Sequence, residues 1–151
     1  MPVCSEDEIV RQFWSGVTAQ TKAIYLSHIT SPTALQLPVE KICRLAKEAG
    51  LLTIIDAAHS PGQIPLDLQA LGADMVFGNC HKWMLGVKGA GFLYVRREHI
   101  PSLWPLTPAP ASRAKDVRKF EEFLELFNEY RFCGDIIYFT DRVNRGYFYI
   151  Q

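Results

Sequence analysis

The sequence lacks the marks of several protein classes. It has no excess of charge, because sixteen Lys and Arg balance sixteen Asp and Glu. A nucleic-acid binder needs a basic patch to neutralise phosphates, so that class is not indicated. No apolar run approaches the roughly 20 residues that span a bilayer. The first residues, Met1-Pro2-Val3-Cys4-Ser5-Glu6-Asp7-Glu8, have neither a basic head nor an apolar core, so no secretory signal is read there. Cysteine is sparse: Cys4, Cys43, Cys80 and Cys133 are widely spaced, and no Cys-x-x-Cys occurs. That argues against a zinc knuckle or a dithiol redox pair. A chain of 151 residues can bury a core without disulfide staples, so each thiol reads as a small buried hydrophobe in a reduced, cytoplasmic protein. Internal repeats and low-complexity segments are also missing.

What is present reads as an ordinary folded domain, 48% hydrophobic and 21% charged. Ser5 followed by Glu8 has the form of a capping box, and Ile9, Val10, Phe13, Trp14 and Val17 then repeat at helical spacing. Lys22–Ser27 is a short apolar run with aromatic and β-branched members, predicted as a strand. Pro38 suits the first turn of a second helix with Val39, Ile42, Cys43, Ala46 and Ala49 on its apolar face and Gly50 at its end. Leu51–Asp56 is apolar until its last residue, the pattern of a strand buried on both faces of a parallel sheet. Leu66–Leu71 is predicted as a short helical stretch closed by Gly72, and Asp74–Asn79 and Phe92–Arg96 as two further strands. Strand–helix–strand–helix–strand followed by one more strand indicates an α/β open sheet. After Ile100 the texture changes. Pro101–Pro110 holds four of the nine prolines and reads as a linker or surface loop. Lys115–Phe132 reads as a charged amphipathic helix, and beyond Cys133 the tail is aromatic and basic without a clear period.

In an open α/β sheet, ligands sit outside the carboxyl ends of the strands. Three polar segments fall there: His28, Thr30 and Ser31; Asp56-Ala57-Ala58-His59; and Asn79-Cys80-His81-Lys82-Trp83. Lys82 follows Asp56 by 26 residues, enough for one crossover and the next strand. Neighbouring strands lie about 4.8 Å apart. A carboxylate at one strand end and an amine one or two strands away can thus grip opposite sides of a six-membered ring. Pyridoxal phosphate requires that arrangement: its aldehyde condenses with a lysine, and a carboxylate keeps the proton on its ring nitrogen.

Three stretches carry a resemblance. They are Asp56-Ala57-Ala58-His59-Ser60-Pro61-Gly62-Gln63-Ile64-Pro65-Leu66-Asp67 with Gly72-Ala73-Asp74; Gly78-Asn79-Cys80-His81-Lys82-Trp83; and Lys88-Gly89-Ala90-Gly91-Phe92-Leu93-Tyr94-Val95. Together they resemble class V aminotransferases, fold-type I pyridoxal-phosphate enzymes. Ser27-His28-Ile29-Thr30-Ser31-Pro32 and the Gly-Asn-Cys-His-Lys-Trp run look closest to the isopenicillin N epimerase-like branch.

The resemblance covers roughly residues 5–110. It implies a three-layer, mostly parallel sheet with helices on both faces, the central part of the family's large domain, and an antiparallel strand near 91–96. It implies that Lys82 is the Schiff-base lysine and proton shuttle at the α-carbon, with Asp56 against the pyridinium nitrogen. His59 matches the position near the cofactor's phenolic oxygen, with a structural loop histidine as the competing role. His81 and Asn79 match the pair that bonds the phosphate, and many relatives have Ser or Thr at the Asn79 position. Thr30 matches a loop position facing the ring or the substrate carboxylate, and serves equally as a turn hydroxyl. No ligand spacing supports a metal site.

The implied division is a partial large domain over 1–110 and a helical, non-matching tail over 111–151. Family members also carry a segment before this region that stacks on the ring, and a small domain after it with a substrate-binding arginine. Two functions stay open. One is a pyridoxal-phosphate enzyme acting on an amino acid by α-carbon proton transfer, as a homodimer. The other is a truncated, noncatalytic remnant or accessory fragment. Epimerisation, transamination and lyase chemistry begin from the same carbanion, so the residues specify no narrower reaction.

Overall fold

The computed structural model describes residues 5–86, 88, 90–104, 113–116, 118 and 136–140. Helix α1 spans Glu6–Trp14. Ser5 caps it: the Glu8 N–H donates to the Ser5 hydroxyl at 3.2 Å. The acidic residues Glu6, Asp7 and Glu8 of the first turn complement the positive end of the helix dipole. Only half of the capping box forms. The Glu8 carboxylate turns down the helix instead, to Arg11 and to Gln12. The helix ends at Trp14, before Val17, although Val10, Phe13, Trp14 and Val17 all pack on the core.

Helix α2 spans Val39–Glu48, with Pro38 one position earlier than the sequence pattern suggests, at the N-cap. Val39, Ile42, Cys43 and Ala46 are buried as expected, whereas Ala49 is the exposed C-cap. Gly50 adopts φ +68°, its N–H bonds the Lys47 carbonyl at 3.2 Å, and the Leu51 N–H bonds the Ala46 carbonyl at 2.9 Å. This is a Schellman ending, which satisfies two otherwise orphaned carbonyls. Lys41 ties the two helices by pairing with Glu6 and Asp7.

Five strands form one sheet in chain order: β1 Ala23–Ser27, β2 Leu52–Asp56, β3 Met75–Asn79, β4 Gly91–Val95 and β5 Ile136–Thr140. β1, β2 and β3 are mutually parallel, β4 runs antiparallel to β3, and β5 is parallel to β4. The expected strands are all present with ends shifted by a residue, and the strand near 91–96 is antiparallel. Parallel pairing aligns Ser27 with Asp56 and Asp56 with Phe77, so these carboxyl ends share one sheet edge.

One face of the sheet carries the core. Ile24, Leu26, Ile55, Val76, Phe92 and Tyr94 are buried there with the apolar residues of α2. The opposite face is only half covered among the described residues. Tyr25 is 60% exposed and stacks on Phe77. Leu52, Ile54 and Asp56 are likewise half-buried, alternating with buried Thr53 and Ile55. Among the described residues the apolar run Leu51–Asp56 is thus buried on one face and half-covered on the other.

Two further expectations change. Leu66–Leu71 is a single turn, not a helix: Asp67 caps it through the N–H groups of Gln69 and Ala70, and Gly72 closes it at φ +74°. So few residues between a cap and a left-handed stop leave no room for a second turn. The expected helix 115–132 lies almost wholly outside the described residues, and within the tail expected as helical the structure places the strand β5. A short 3₁₀ helix, Arg97–Ser102, follows β4 and buries Ile100.

At the edge opposite the strand ends a polar brace fixes the register. The Thr53 N–H and hydroxyl both donate to Asp74 Oδ2 at 2.8 Å, and the Asp74 N–H donates back to the Thr53 hydroxyl at 2.9 Å. His99 Nε2 lies 3.0 Å from Asp74 Oδ1. Burial works against ionisation of this carboxyl, but the Thr53 and His99 bonds outweigh it and hold Asp74 below the usual carboxylate range.

Candidate active site at the carboxyl ends of β2 and β3

The chain leaves β2 at Asp56 and turns at once. Asp56 Oδ1 accepts the Ala58 N–H at 2.8 Å, an Asx-type turn, and Oδ2 carries no hydrogen bond among the described residues. The Ala57 N–H bonds the Phe77 carbonyl at 2.7 Å, holding the start of this turn against β3. The loop then reaches Gly62, whose φ is +79°. A Cβ at Gly62 would lie 2.7 Å from the backbone carbonyl carbon and oxygen of Trp83. Only glycine lets the two loops come this close.

The chain leaves β3 at Asn79 and makes a closed loop back to β4. The Cys80 N–H bonds the Ala90 carbonyl and the Gly86 N–H bonds the Cys80 carbonyl, each at 2.9 Å, so the neck of the loop is tied. A Cβ at Gly86 would meet the Cys80 carbonyl oxygen at 2.9 Å, which explains the small residue there. Leu85 takes φ +57° in the same turn.

The two loops meet through side chains. Lys82 Nζ lies 3.0 Å from His59 Nε2. The Trp83 indole N–H donates to His59 Nδ1 at 3.2 Å. His81 is half-buried, its Nδ1 donates to the Ala90 carbonyl at 3.3 Å, and Nε2 carries no hydrogen bond among the described residues. Asn79 ends β3 opposite Gly91. Asp56, His59, Asn79, His81 and Lys82 therefore gather at one end of the sheet on two packed loops.

Two other residues behave differently. The Thr30 hydroxyl is engaged within its own loop, 2.6 Å from the Thr33 hydroxyl and accepting the Leu35 N–H at 3.0 Å. That is the turn role weighed for it above. His28 follows β1 on the buried face, 1% exposed, and neither ring nitrogen has a partner among the described residues. Burial pushes its imidazole below the ordinary range, partly opposed by Glu40. Cys80 is buried beside Lys82 and its thiol is raised by burial, consistent with packing.

Trp83 and Gly62 are the contributors that sequence reading passed over. The signal for Trp83 was its place directly after His-Lys; for Gly62, a glycine in a loop beginning at a strand-terminal carboxylate. Among the described residues no group of three His, Cys, Asp or Glu side chains could hold a metal ion. No described helix is long and apolar enough to cross a membrane. A hollow of about 460 Å³ between α1 and α2, lined by Val10, Trp14, Lys41 and Arg44, lies apart from these strand ends.

The donor set is suited to pyridoxal phosphate: one amine with a side-chain partner, one carboxylate with an uncommitted oxygen, and a histidine with a free ring nitrogen. Comparison with known proteins gives the family. The family model described as Aminotransferase class-V matches residues 6–123. The chain is similar to the isopenicillin N epimerase of Amycolatopsis lactamdurans, 40% identical over 93 residues, 62% of this chain and 23% of that protein. It is 35% identical over 98 residues to the isopenicillin N epimerase of Streptomyces clavuligerus, 65% of this chain and 25% of that protein. The fold resembles a cysteine desulfurase from Escherichia coli, with a TM-score of 0.62 at 21% identity over 68% of this chain and 26% of that one. The chain thus spans about a quarter of the length of the curated relatives it matches. A matching family model over most of the chain, joined to this sheet order, places the protein in the class V aminotransferase family of pyridoxal-phosphate enzymes.

Proposed function

We propose that this chain binds pyridoxal 5'-phosphate through Lys82 and acts on an amino-acid substrate by proton transfer at the α-carbon. The observation that carries the reading is the meeting of Lys82 with His59 beside the Asp56 turn, at the carboxyl ends of two adjacent parallel strands. Bound pyridoxal phosphate supplies an electron sink for charge developing at the substrate α-carbon.

The protein supplies the rest. Lys82 would supply the amine that holds the aldehyde, and its Nζ would carry the proton of the substrate α-carbon. Asp56, with one oxygen fixed by Ala58, offers the other to keep a proton on the ring nitrogen. His59 holds the amine from one side and would serve the phenolic oxygen. His81 presents Nε2, and Asn79 its amide, to the phosphate. Thr30 contributes by shaping the loop after β1. The resemblance adds an amino acid and a second copy of the chain as partners, in a cytoplasmic setting.

The test is direct. Purified protein mixed with pyridoxal phosphate develops visible absorbance, and borohydride fixes the added mass on the Lys82 peptide. Lys82→Ala removes both. Equal labelling of many lysines, unchanged by Lys82→Ala, would falsify the proposal. The alternative named above, a cofactor-holding fragment without turnover, predicts a different outcome. That reading gains if the absorbance forms on Lys82 and no amino acid changes it.

A further inference from the structure

Trp83 makes a bond that fixes where the His59 proton sits. The indole nitrogen is a donor only. It lies 3.2 Å from His59 Nδ1, so Nδ1 accepts. A neutral imidazole with Nδ1 accepting carries its proton on Nε2. Nε2 is the atom 3.0 Å from Lys82 Nζ. An ammonium has three donors and no acceptor. Nε2–H facing an ammonium would set two donors head to head. The two contacts are therefore both hydrogen bonds in one arrangement only: Trp83 donates to Nδ1, Nε2–H donates to Nζ, and the unprotonated Lys82 amine accepts on its single lone pair.

We infer that Trp83 is a positioning residue: by donating to His59 Nδ1 it holds the ring proton on Nε2, and Nε2–H in turn holds Lys82 Nζ at the site as the unprotonated amine. This rests on the reading of Lys82 as the amine that bonds the aldehyde. Only the unprotonated amine attacks a carbonyl carbon. In the attack the hydrogen bond from Nε2–H to Nζ breaks, the freed lone pair forms the C–N bond as the carbonyl π pair moves to oxygen, and the two amine protons leave with that oxygen as water. No redox partner is needed. Once Nζ is committed to carbon, the same Nε2–H is free to donate to an oxygen acceptor nearby. If Lys82 is an ammonium instead, Nε2 must accept, the neutral ring protonates at Nδ1, and the indole loses its partner. The indole bond and the ammonium thus exclude one another while the ring is neutral.

The geometry has independent support. Gly62 brings the backbone of the His59 loop against the Trp83 carbonyl, within the distance a Cβ would forbid. The indole is 51% exposed, so it does not serve mainly as core. A tryptophan this open, whose N–H points back at a histidine, is placed for that bond.

The experiment uses the full chain without cofactor. Nitrogen-15 labelling of histidine and long-range proton–nitrogen correlation identify which His59 ring nitrogen is protonated when the ring is neutral. The expected spectrum has Nε2 protonated and Nδ1 bare. In Trp83→Phe the two tautomers mix, and borohydride-fixed capture of pyridoxal phosphate on Lys82 slows about three- to tenfold, the worth of one net hydrogen bond. His59 protonated at Nδ1 in the unaltered protein overturns the inference whether or not the variant folds. An unchanged tautomer and unchanged capture rate in Trp83→Phe also overturn it. Nε2 protonation with no capture on Lys82 overturns the proposed function while upholding the proton placement.

Discussion

Gly62→Ala isolates the contact that joins the two site loops. Two costs are legible at this position. The backbone sits at φ +79°, where a side chain costs about 1–2 kcal/mol. The new Cβ would also fall 2.7 Å from the Trp83 carbonyl carbon and oxygen and 2.8 Å from the Met84 nitrogen. Those are backbone atoms and cannot swing aside, so overpacking adds about 1–3 kcal/mol. The expected loss is about 2–5 kcal/mol, a large share of the stability of a small domain. Gly50→Ala is the matched control, with φ +68° and nothing within 4 Å of its Cβ. It pays the backbone cost alone, about 1–2 kcal/mol. Urea unfolding of the three proteins, with equal slopes, gives the difference. Equal losses in the two variants would show that the loops do not touch at Gly62, and a Gly62→Ala protein as stable as the original would refute the reasoning outright.

The buried His28 sets an acid response. Burial lowers its folded-state affinity for a proton, so the unfolded chain binds more protons as pH falls through about 6.5, and stability declines from there downward by at most about 1.4 kcal/mol per pH unit. Urea midpoints between pH 8 and 5 should fall less steeply in His28→Leu; parallel curves for the two proteins would rule the account out. Cys43, 1% exposed, has its thiol pushed up to about 11 by burial. At pH 8 iodoacetamide should leave Cys43 and Cys80 unmodified in the folded protein and label both in urea, read by peptide mass; brisk labelling of folded Cys43 would contradict the burial.

Strands β1 to β4 were legible because each is a short apolar run rich in Ile, Leu, Val, Phe or Tyr and bounded by turn residues, whereas β5 falls in the tail that was expected to be helical. The α2 face was legible because Val39, Ile42, Cys43 and Ala46 repeat at helical spacing. Hydropathy alone could not distinguish a strand buried on both faces from one buried on one, as Ile54 and Ile55 show. Leu66–Leu71 misled because apolar residues at helical spacing say nothing of length, and the Asp67 cap and Gly72 leave one turn between them. Asp56, His81 and Lys82 could be picked out by type and place. The Trp83–His59 bond could not, since the two residues are 24 apart in sequence and meet only after both loops have closed. The Asp74–Thr53 brace is hidden for the same reason, across 21 residues.

The reversal of direction between β3 and β4 has a consequence for divergence. The loop bearing Lys82 starts and ends on neighbouring strands, with its neck tied at Cys80 and Ala90. Among the described residues its footing does not pass through any helix. Helices α1 and α2 can therefore drift across the sheet from one homologue to another without dragging the amine along. Superposed on β2 and β3, homologues should scatter widely at α1 and hardly at all at the lysine nitrogen.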